Sequence, residues 1–475
     1  MLSVGAGSGL SSNTERRNPL LLWEHEGLDI EQVAALPAME RTTILWEHSK
    51  KHLYSRIPYY SELLDAAGDP DWRHLAAVPT FDRNLDWAGG GLLVAGYRSD
   101  CYYFSGGTTN RHKVLHSDLR EAAYLNAVRS LQYKDTPRSY RVISVRPVDV
   151  THGVPDPIPE LHHHATIAFP LQSEQDYQEL VELLQDNGRD NDTQKVISIR
   201  SQTPTVLGLT AYLSEQGVDP DRMAVQALLH GGFHLSTTWR RKLQDYWQVE
   251  IVDMYGCTEF YQSYGMRCGH CAAYHFNWTI LVEVTDERGA PVERGVGELT
   301  LTHLAPFALR QPLLRYRTGD LAEIDGVCEV TGRDRYLFGG RLRDAIRLVP
   351  SSGGIEDSYL TTLQIKDAID ALPFVFREHN TRREAGIYRT YECTSPVIAW
   401  DTSFDHAGVC RIDFRIGLHP DYPDRVEDRR HFGSLAREQL VTVSALLATE
   451  VAAGRVVVSC EIVAPDELGE SVRVI

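Results

Sequence analysis

Cys101-Tyr102-Tyr103-Phe104-Ser105-Gly106-Gly107-Thr108-Thr109-Asn110-Arg111-His112-Lys113 is the stretch on which the fold turns. An apolar, strand-like run from Cys101 to Phe104 breaks into glycines, hydroxyls and cations. Ser117 then stands as the cap of a helix predicted from Asp118 to about Gln132. The unit recurs. Strand-like segments at Arg141 to Val145, Val196 to Ile199, Met223 to Leu229 and Val249 to Asp253 each end in a turn with Gly, Ser or Pro ahead of helix-like sequence. Strands alternating with helices predict a mostly parallel sheet. Open α/β sheets bind ligands beyond the carboxyl ends of their strands, so the Gly/Thr turn, the Gly231-Gly232 turn and the Tyr255-Gly256 turn are expected to share one crevice.

Working outward, residues 1–18 read as a Gly/Ser/Asn-rich flexible tail, and Ile30 to Leu64 as a helical lead-in carrying Trp46, Tyr54, Tyr59 and Tyr60. From Thr279 to Leu348 short strands alternate as in an antiparallel region. From Asp344 a small α+β unit is expected, with a long helix over Ser434–Ala453 and a strand over Val456–Val463. The predicted class is therefore α/β. A large N-terminal domain over 19–343 holds α/β sheets plus a small antiparallel region, and a small, mobile α+β C-terminal domain spans 344–475. With 48 Lys and Arg against 65 Asp and Glu in 475 residues, the net charge of −17 argues against a protein that tracks nucleic acid. No run approaches the roughly 20 apolar residues that span a bilayer. A soluble, cytoplasmic chain without membrane partners is expected, with a homodimer left open.

Two clusters carry chemistry. In the Ser105–Lys113 turn, Gly106 and Gly107 let backbone N–H groups approach phosphate oxygens, Ser105, Thr108 and Thr109 add hydroxyls, and Lys113 adds charge. The spacing is not that of a P-loop. Cys268 and Cys271 form a C-x-x-C pair in a polar loop near His270 and His275, a pattern that fits a tetrahedral metal better than redox chemistry. His162-His163-His164, ahead of the strand-like Ala165–Leu171, reads either as an exposed turn or as one wall of a substrate pocket. Cys257 reads as a packed small residue.

The ordered set SGGTT-x3-K, Gly231-Gly232, Tyr255-Gly256-Cys257-Thr258-Glu259, Arg315-Tyr316-Arg317-Thr318-Gly319-Asp320 and Gly339-Gly340-Arg341-Leu342-Arg343-Asp344 resembles the adenylate-forming superfamily of acyl-CoA ligases, luciferases and peptide-synthetase adenylation domains. It looks closest to the phenylacetate–CoA ligase branch, and the resemblance runs from about Trp46 to Arg347. It implies that Ser105 to Thr109 and Lys113 cover the ATP phosphates and that Gly231 and Gly232 border the adenine. Tyr255 and Gly256 would lie near adenine and the acyl carboxylate. Thr258 would touch the α-phosphate and Glu259 would hold magnesium. Asp320 would accept from the ribose hydroxyls, backed by Arg341, and Asp344 would mark a hinge. His162, His163, His164, Phe233 and Tyr255 would face the acid. The many aromatics nearby, Phe104, Phe233, Tyr261 and Tyr264, favour an aryl acid. In this branch the Cys-x-x-Cys loop draws further sulfur from a segment that here begins at Cys328, giving Cys268, Cys271, His275 and Cys328 as zinc ligands, with His270 an alternative.

Three departures stand out: Asn110 and Phe233 replace residues common in the family, and the best alignment puts Glu470 where ligases carry a lysine. The only lysine beyond Asp344 is Lys366, and Arg473 is a cation of different shape. The implied activity is ATP- and magnesium-dependent conversion of a carboxylic acid to acyl-AMP, with transfer to CoA or a carrier-protein thiol in a biosynthetic pathway. The alternatives are an acyltransferase that has lost adenylation and a non-catalytic nucleotide-binding protein.

Overall fold

The computed structural model describes residues 21–82, 92–104, 114–132, 140–148, 164–171, 174–185, 194–223, 225–260, 263–348, 358–377, 396–468 and 472–474. Its centre is a sheet of twelve strands among the described residues. One half is parallel, in the spatial order His164–Pro170, Tyr140–Val148, Gln194–Gln202, Val225–Gly231, Glu250–Tyr255. The helices Glu174–Gln185, Thr203–Glu215 and Thr237–Trp247 alternate with these strands. They bury Leu180, Leu209, Leu213 and Trp247 with Ile197, Ile199 and Leu228 of the sheet in one core. Apolar runs covered by helices are what a parallel sheet demands.

The antiparallel strands expected from Thr279 to Leu348 are present and continue the same sheet. The Glu250–Tyr255 strand pairs antiparallel with Gly265–Arg267. The same sheet then continues through Tyr274–Phe276, Asp334–Arg341, Tyr316–Val327, Gly295–His303 and Ile280–Thr285. Alternation reveals a strand, but not which neighbour its edge will find. One correction concerns the opening stretch. Cys101–Phe104 is followed by a strand, Val114–Ser117, and the two form an antiparallel hairpin. The helix runs Leu119–Gln132. Its first turn is capped by Asp118, which accepts from the Arg120 N–H, whereas the Ser117 hydroxyl donates to Glu121.

From Ile346 a distinct core gathers Leu348, Ile365, Ile369, Trp400, Phe414 and Ile462. Its strands lie in the order Val456–Val463, Cys410–Gly417, Val397–Phe404, Val472–Val474. The single helix expected over Ser434–Ala453 is two, Val426–Thr442 and Ala445–Ala452, because the Ser444 hydroxyl accepts from the Leu447 N–H and starts a new helix. Where this core meets the large sheet, Gly340 is required. Its φ is +86°, and a Cβ there would lie 2.0 Å from the Thr362 hydroxyl at the start of the Thr362–Asp370 helix.

The N-terminal lead-in holds a feature the sequence did not disclose. His25 Nδ1 lies 2.8 Å from His48 Nε2, and its Nε2 lies 3.1 Å from the Tyr97 hydroxyl. The rings of His48 and His52 are 4.4 Å apart, one turn along the Ala38–His52 helix. Burial, then the neighbouring His52, brings His25 down to about 4 and His48 down to about 3. Their ordinary value, kept in the unfolded chain, is 6.5. Between these values the unfolded chain binds more protons, so their stabilisation is full above pH 6.5 and is lost as the pH falls towards 4. After a discount for solvent screening, acidification from pH 7.5 to 5 should therefore cost on the order of 2 kcal/mol for the two histidines together. Urea midpoints at the two pH values should differ far less in the His25→Asn/His48→Gln variant; equal slopes would exclude these groups as the cause.

Candidate functional site

The carboxyl ends of two parallel strands place the first groups. Gly231 ends one strand beside Met254 of the next, and a Cβ at Gly231 would lie 2.6 Å from the Met254 carbonyl oxygen. Only glycine fits there. Gly232 follows with φ +81°. Beneath them, buried Asp253 receives His230 and Arg240. Burial alone would raise its pKa, but the hydrogen bonds and charges of His230 and Arg240 hold it below the usual carboxylate range. This ion cluster braces residues adjacent to both Gly231 and Tyr255.

Tyr255 closes its strand with its ring stacked on Phe338, centroids 4.0 Å apart and planes 14° from parallel. Its hydroxyl donates to Asp320 Oδ2 at 2.7 Å. Burial and the Asp320 charge push its pKa well above the ordinary value, so it remains a donor. Asp320 Oδ1 lies 3.1 Å from Arg341 Nη1, across the pairing of Asp320 with Arg341 in neighbouring strands. Burial works against the Arg341 charge, yet Asp320 together with Tyr255, Cys257 and Glu259 outweighs it and raises its pKa.

Thr258 and Glu259 sit in the short turn Thr258–Phe260, and Tyr316 donates its hydroxyl to Glu259 Oε1 at 2.8 Å. Both line a cavity of about 30 Å³ together with Leu115, His116 and Ser117 of the opening hairpin. The strand that returns from the Ser105–Lys113 turn thus reaches the Glu259 side of the crevice. Burial, then Glu259 and Asp320, push the Cys257 thiol well up, so it is protonated and a poor nucleophile. The two motif arginines are structural. Arg315 is fully buried and grips Glu283, and Arg317 pairs with Glu298.

The structure therefore brings Gly231, Gly232, Tyr255, Gly256, Thr258, Glu259, Asp320 and Arg341 to one end of the sheet. Phe233 stands beyond the glycine turn and is 44% exposed. Ser105, Gly106, Gly107, Thr108, Thr109, Lys113, His162, His163 and Glu470 lie outside the described residues, as do Asn110 and Tyr261. His164 opens its strand, paired with Val142. Sequence reasoning missed Phe338 and Tyr316. The signal was present for Tyr316, an aromatic held between two motif arginines, and absent for Phe338.

Cys268, Cys271, His275 and Cys328 bring one ligand atom each to within 4.8 Å of one another. Two backbone knuckles make the cage. Ala272, at φ +57°, returns its N–H to the Cys268 carbonyl at 2.9 Å, and Gly332, at φ +65°, returns its own to Cys328 at 2.8 Å. His275 Nδ1 donates to the Asp334 carbonyl at 2.8 Å, which turns Nε2 towards Cys271 Sγ, 3.3 Å away. The histidine of the cluster is His275, not the exposed His270. Three thiols and an imidazole with a fixed tautomer match a closed tetrahedral zinc site.

No known family profile matches the chain, and no curated protein matches it in sequence. Solved structures share its fold. 2-Hydroxyisobutyryl-CoA ligase in the postadenylation state, in complex with R3-HIB-AMP, aligns with a TM-score of 0.59 at 13% identity, over 96% of this chain and 94% of that one. An open conformation of 2-hydroxyisobutyryl-CoA ligase in complex with 2-HIB-AMP and CoA gives 0.58 at 14% identity, over 92% and 90%. At these identities the likeness is one of fold. No helix among the described residues is long and apolar enough to cross a membrane.

Proposed function

We propose that this protein uses ATP and magnesium to activate an aryl or acyl carboxylic acid as acyl-AMP and passes the acyl group to CoA or a carrier-protein thiol. The observation that carries this reading is Asp320, a buried carboxylate that the Tyr255 hydroxyl and Arg341 hold in place beside the strand-end turns. By the family resemblance it would accept from the two adjacent hydroxyls of a ribose. Gly231 and Gly232 would border the adenine, Thr258 would face the α-phosphate, and Ser105 to Thr109 with Lys113 would cover the phosphates. Glu259 would hold the magnesium, which supplies charge against the developing phosphate anion. Phe233 and His162 to His164 would line the acid pocket, and the small C-terminal domain would turn about Asp344. Incubation with ATP and a panel of acids should release pyrophosphate only when an acid is present. Silence across the panel, with nucleotide binding intact, would refute it.

A second reading, acyl transfer without adenylation, has one observation in its favour. Lys366 is buried and paired with Asp370 at 3.3 Å, so the only lysine of the C-terminal region is committed to its own core. Glu470→Lys separates the two. If Glu470 meets the phosphates, the variant should release pyrophosphate at least about tenfold faster, as expected for replacing a repelling charge by an attracting one. An unchanged rate in an already active enzyme would place the cation elsewhere.

The cysteine cluster we assign to structural zinc, joining the loop after Tyr255 to the turn after Val327. Purified protein should carry about one zinc per chain. Chelation or Cys271→Ser should lower the melting temperature by roughly 5 to 10 °C, the scale of a loss of about 3 kcal/mol in a domain of this size. Full stability after complete zinc removal would rule out this role.

A further inference from the structure

Arg129, on the Leu119–Gln132 helix, has both terminal guanidinium nitrogens buried and without a hydrogen-bond partner among the described residues. Its carbon Cζ lies 5.7 Å from the centre of the Tyr264 ring, and that of Arg200 lies 5.9 Å from the same ring. Tyr264 packs at the crevice. A Cβ added at Gly256 would meet the Tyr264 Cβ at 4.0 Å, and Gly265, the next residue, pairs with Tyr255. Arg200 belongs to the strand whose end, Gln202, pairs with Gly231. Two cations and an aromatic ring thus stand beside the residues proposed to hold the acyl-adenylate, on a side that the mechanism above leaves unused.

The nearest acid on the same helix face offers Arg129 no relief. Glu121 Oε1 accepts from the N–H groups of Leu309 and Arg310, and its other oxygen takes the Ser117 hydroxyl. A ring face attracts a guanidinium but does not satisfy its N–H donors. A buried, planar fork of donors without a partner is matched by one group above others, a carboxylate bound through two parallel hydrogen bonds. We infer that the acid taken by this enzyme is a dicarboxylic acid, one carboxylate of which is activated while the other is received by Arg129 with Arg200 and Tyr264 beside it. The inference rests on the ligase reading for its chemistry, but not for its binding.

The test pairs each diacid with a monoacid of the same skeleton, phthalate isomers with benzoate and succinate with butyrate, on the full-length protein. With ATP and magnesium, kcat/KM from pyrophosphate release should favour at least one diacid over its partner by tenfold or more. Arg129→Met should reduce that ratio at least tenfold, and Arg129→Lys by less. Calorimetry of the acids alone separates the two readings. Diacid binding that depends on Arg129, without any pyrophosphate, supports this inference and sinks the ligase reading. Monoacids turned over as well as diacids leave the ligase reading standing and overturn this one. An Arg129→Met protein that loses ATP affinity as much as diacid affinity also overturns it, since the arginine then serves a phosphate. Wild-type preferences decide the matter even where a variant fails to fold.

Discussion

Asp320→Ala should weaken AMP and ATP binding by about 2 to 3 kcal/mol, or roughly 30- to 150-fold in Kd, the scale of charge-assisted hydrogen bonds lost from a partly dry site. The substitution removes the acceptors proposed for the ribose. It also frees Arg341, held 3.1 Å away, and leaves the Tyr255 hydroxyl without its carboxylate. Part of the loss should therefore come from disorder of Arg341, and Asp320→Asn, which keeps an acceptor for Tyr255, should bind nucleotide better than the alanine variant. Calorimetry with AMP gives the affinities. If alanine binds AMP as the natural chain does, Asp320 is not a nucleotide ligand and the proposed function loses its main support.

The larger structural effect is expected at Arg315. Its guanidinium is completely buried, with Nε and Nη2 at 3.0 and 2.9 Å from the Glu283 oxygens, Nη2 at 2.8 Å from the Gly289 carbonyl, and Nη1 donating to the Val78 carbonyl. Arg315→Met fills similar volume but strands a carboxylate and two carbonyls, so stability should fall by about 3 to 5 kcal/mol. Adding Glu283→Leu should recover a substantial part, because removing both charges spares the unpaired one. Chemical denaturation measures both. A loss below about 1 kcal/mol in the single variant would show that water reaches this cluster. The result bears on function indirectly, since Arg315 opens the segment that carries Asp320.

How far the chain could be read in advance differs from residue to residue. The parallel strands announced themselves because short segments rich in Val and Ile, such as Val196 to Ile199 and Val249 to Asp253, each end in a turn ahead of helix-like sequence. Gly231 and Gly232 were legible because glycines at a strand end have few other uses. The first cysteine pair was legible from its spacing. Roles inside the motifs were less so. Arg315 and Arg317 sit in the same motif as Asp320 and look equally available to a phosphate, yet their partners, Glu283 and Glu298, come from strands that nothing local connects to them. The same holds for Cys328 and for the contact of His25 with His48.

The sequence by itself determined the alternation of strands and helices, the parallel half of the sheet, the positions of the strand-end turns and the residues that collect at them. These follow from periodicity and from the conformational freedom of single residues, both of which are properties of a short window. Only the tertiary structure decided that the antiparallel strands extend the parallel sheet, that Cys101–Phe104 pairs with Val114–Ser117, and that the Tyr255 hydroxyl meets Asp320. It alone set Arg129 and Arg200 on one ring. Each of these depends on which distant segment supplies the partner, and a hydrogen bond or ion pair leaves no periodic trace in either of the segments that make it.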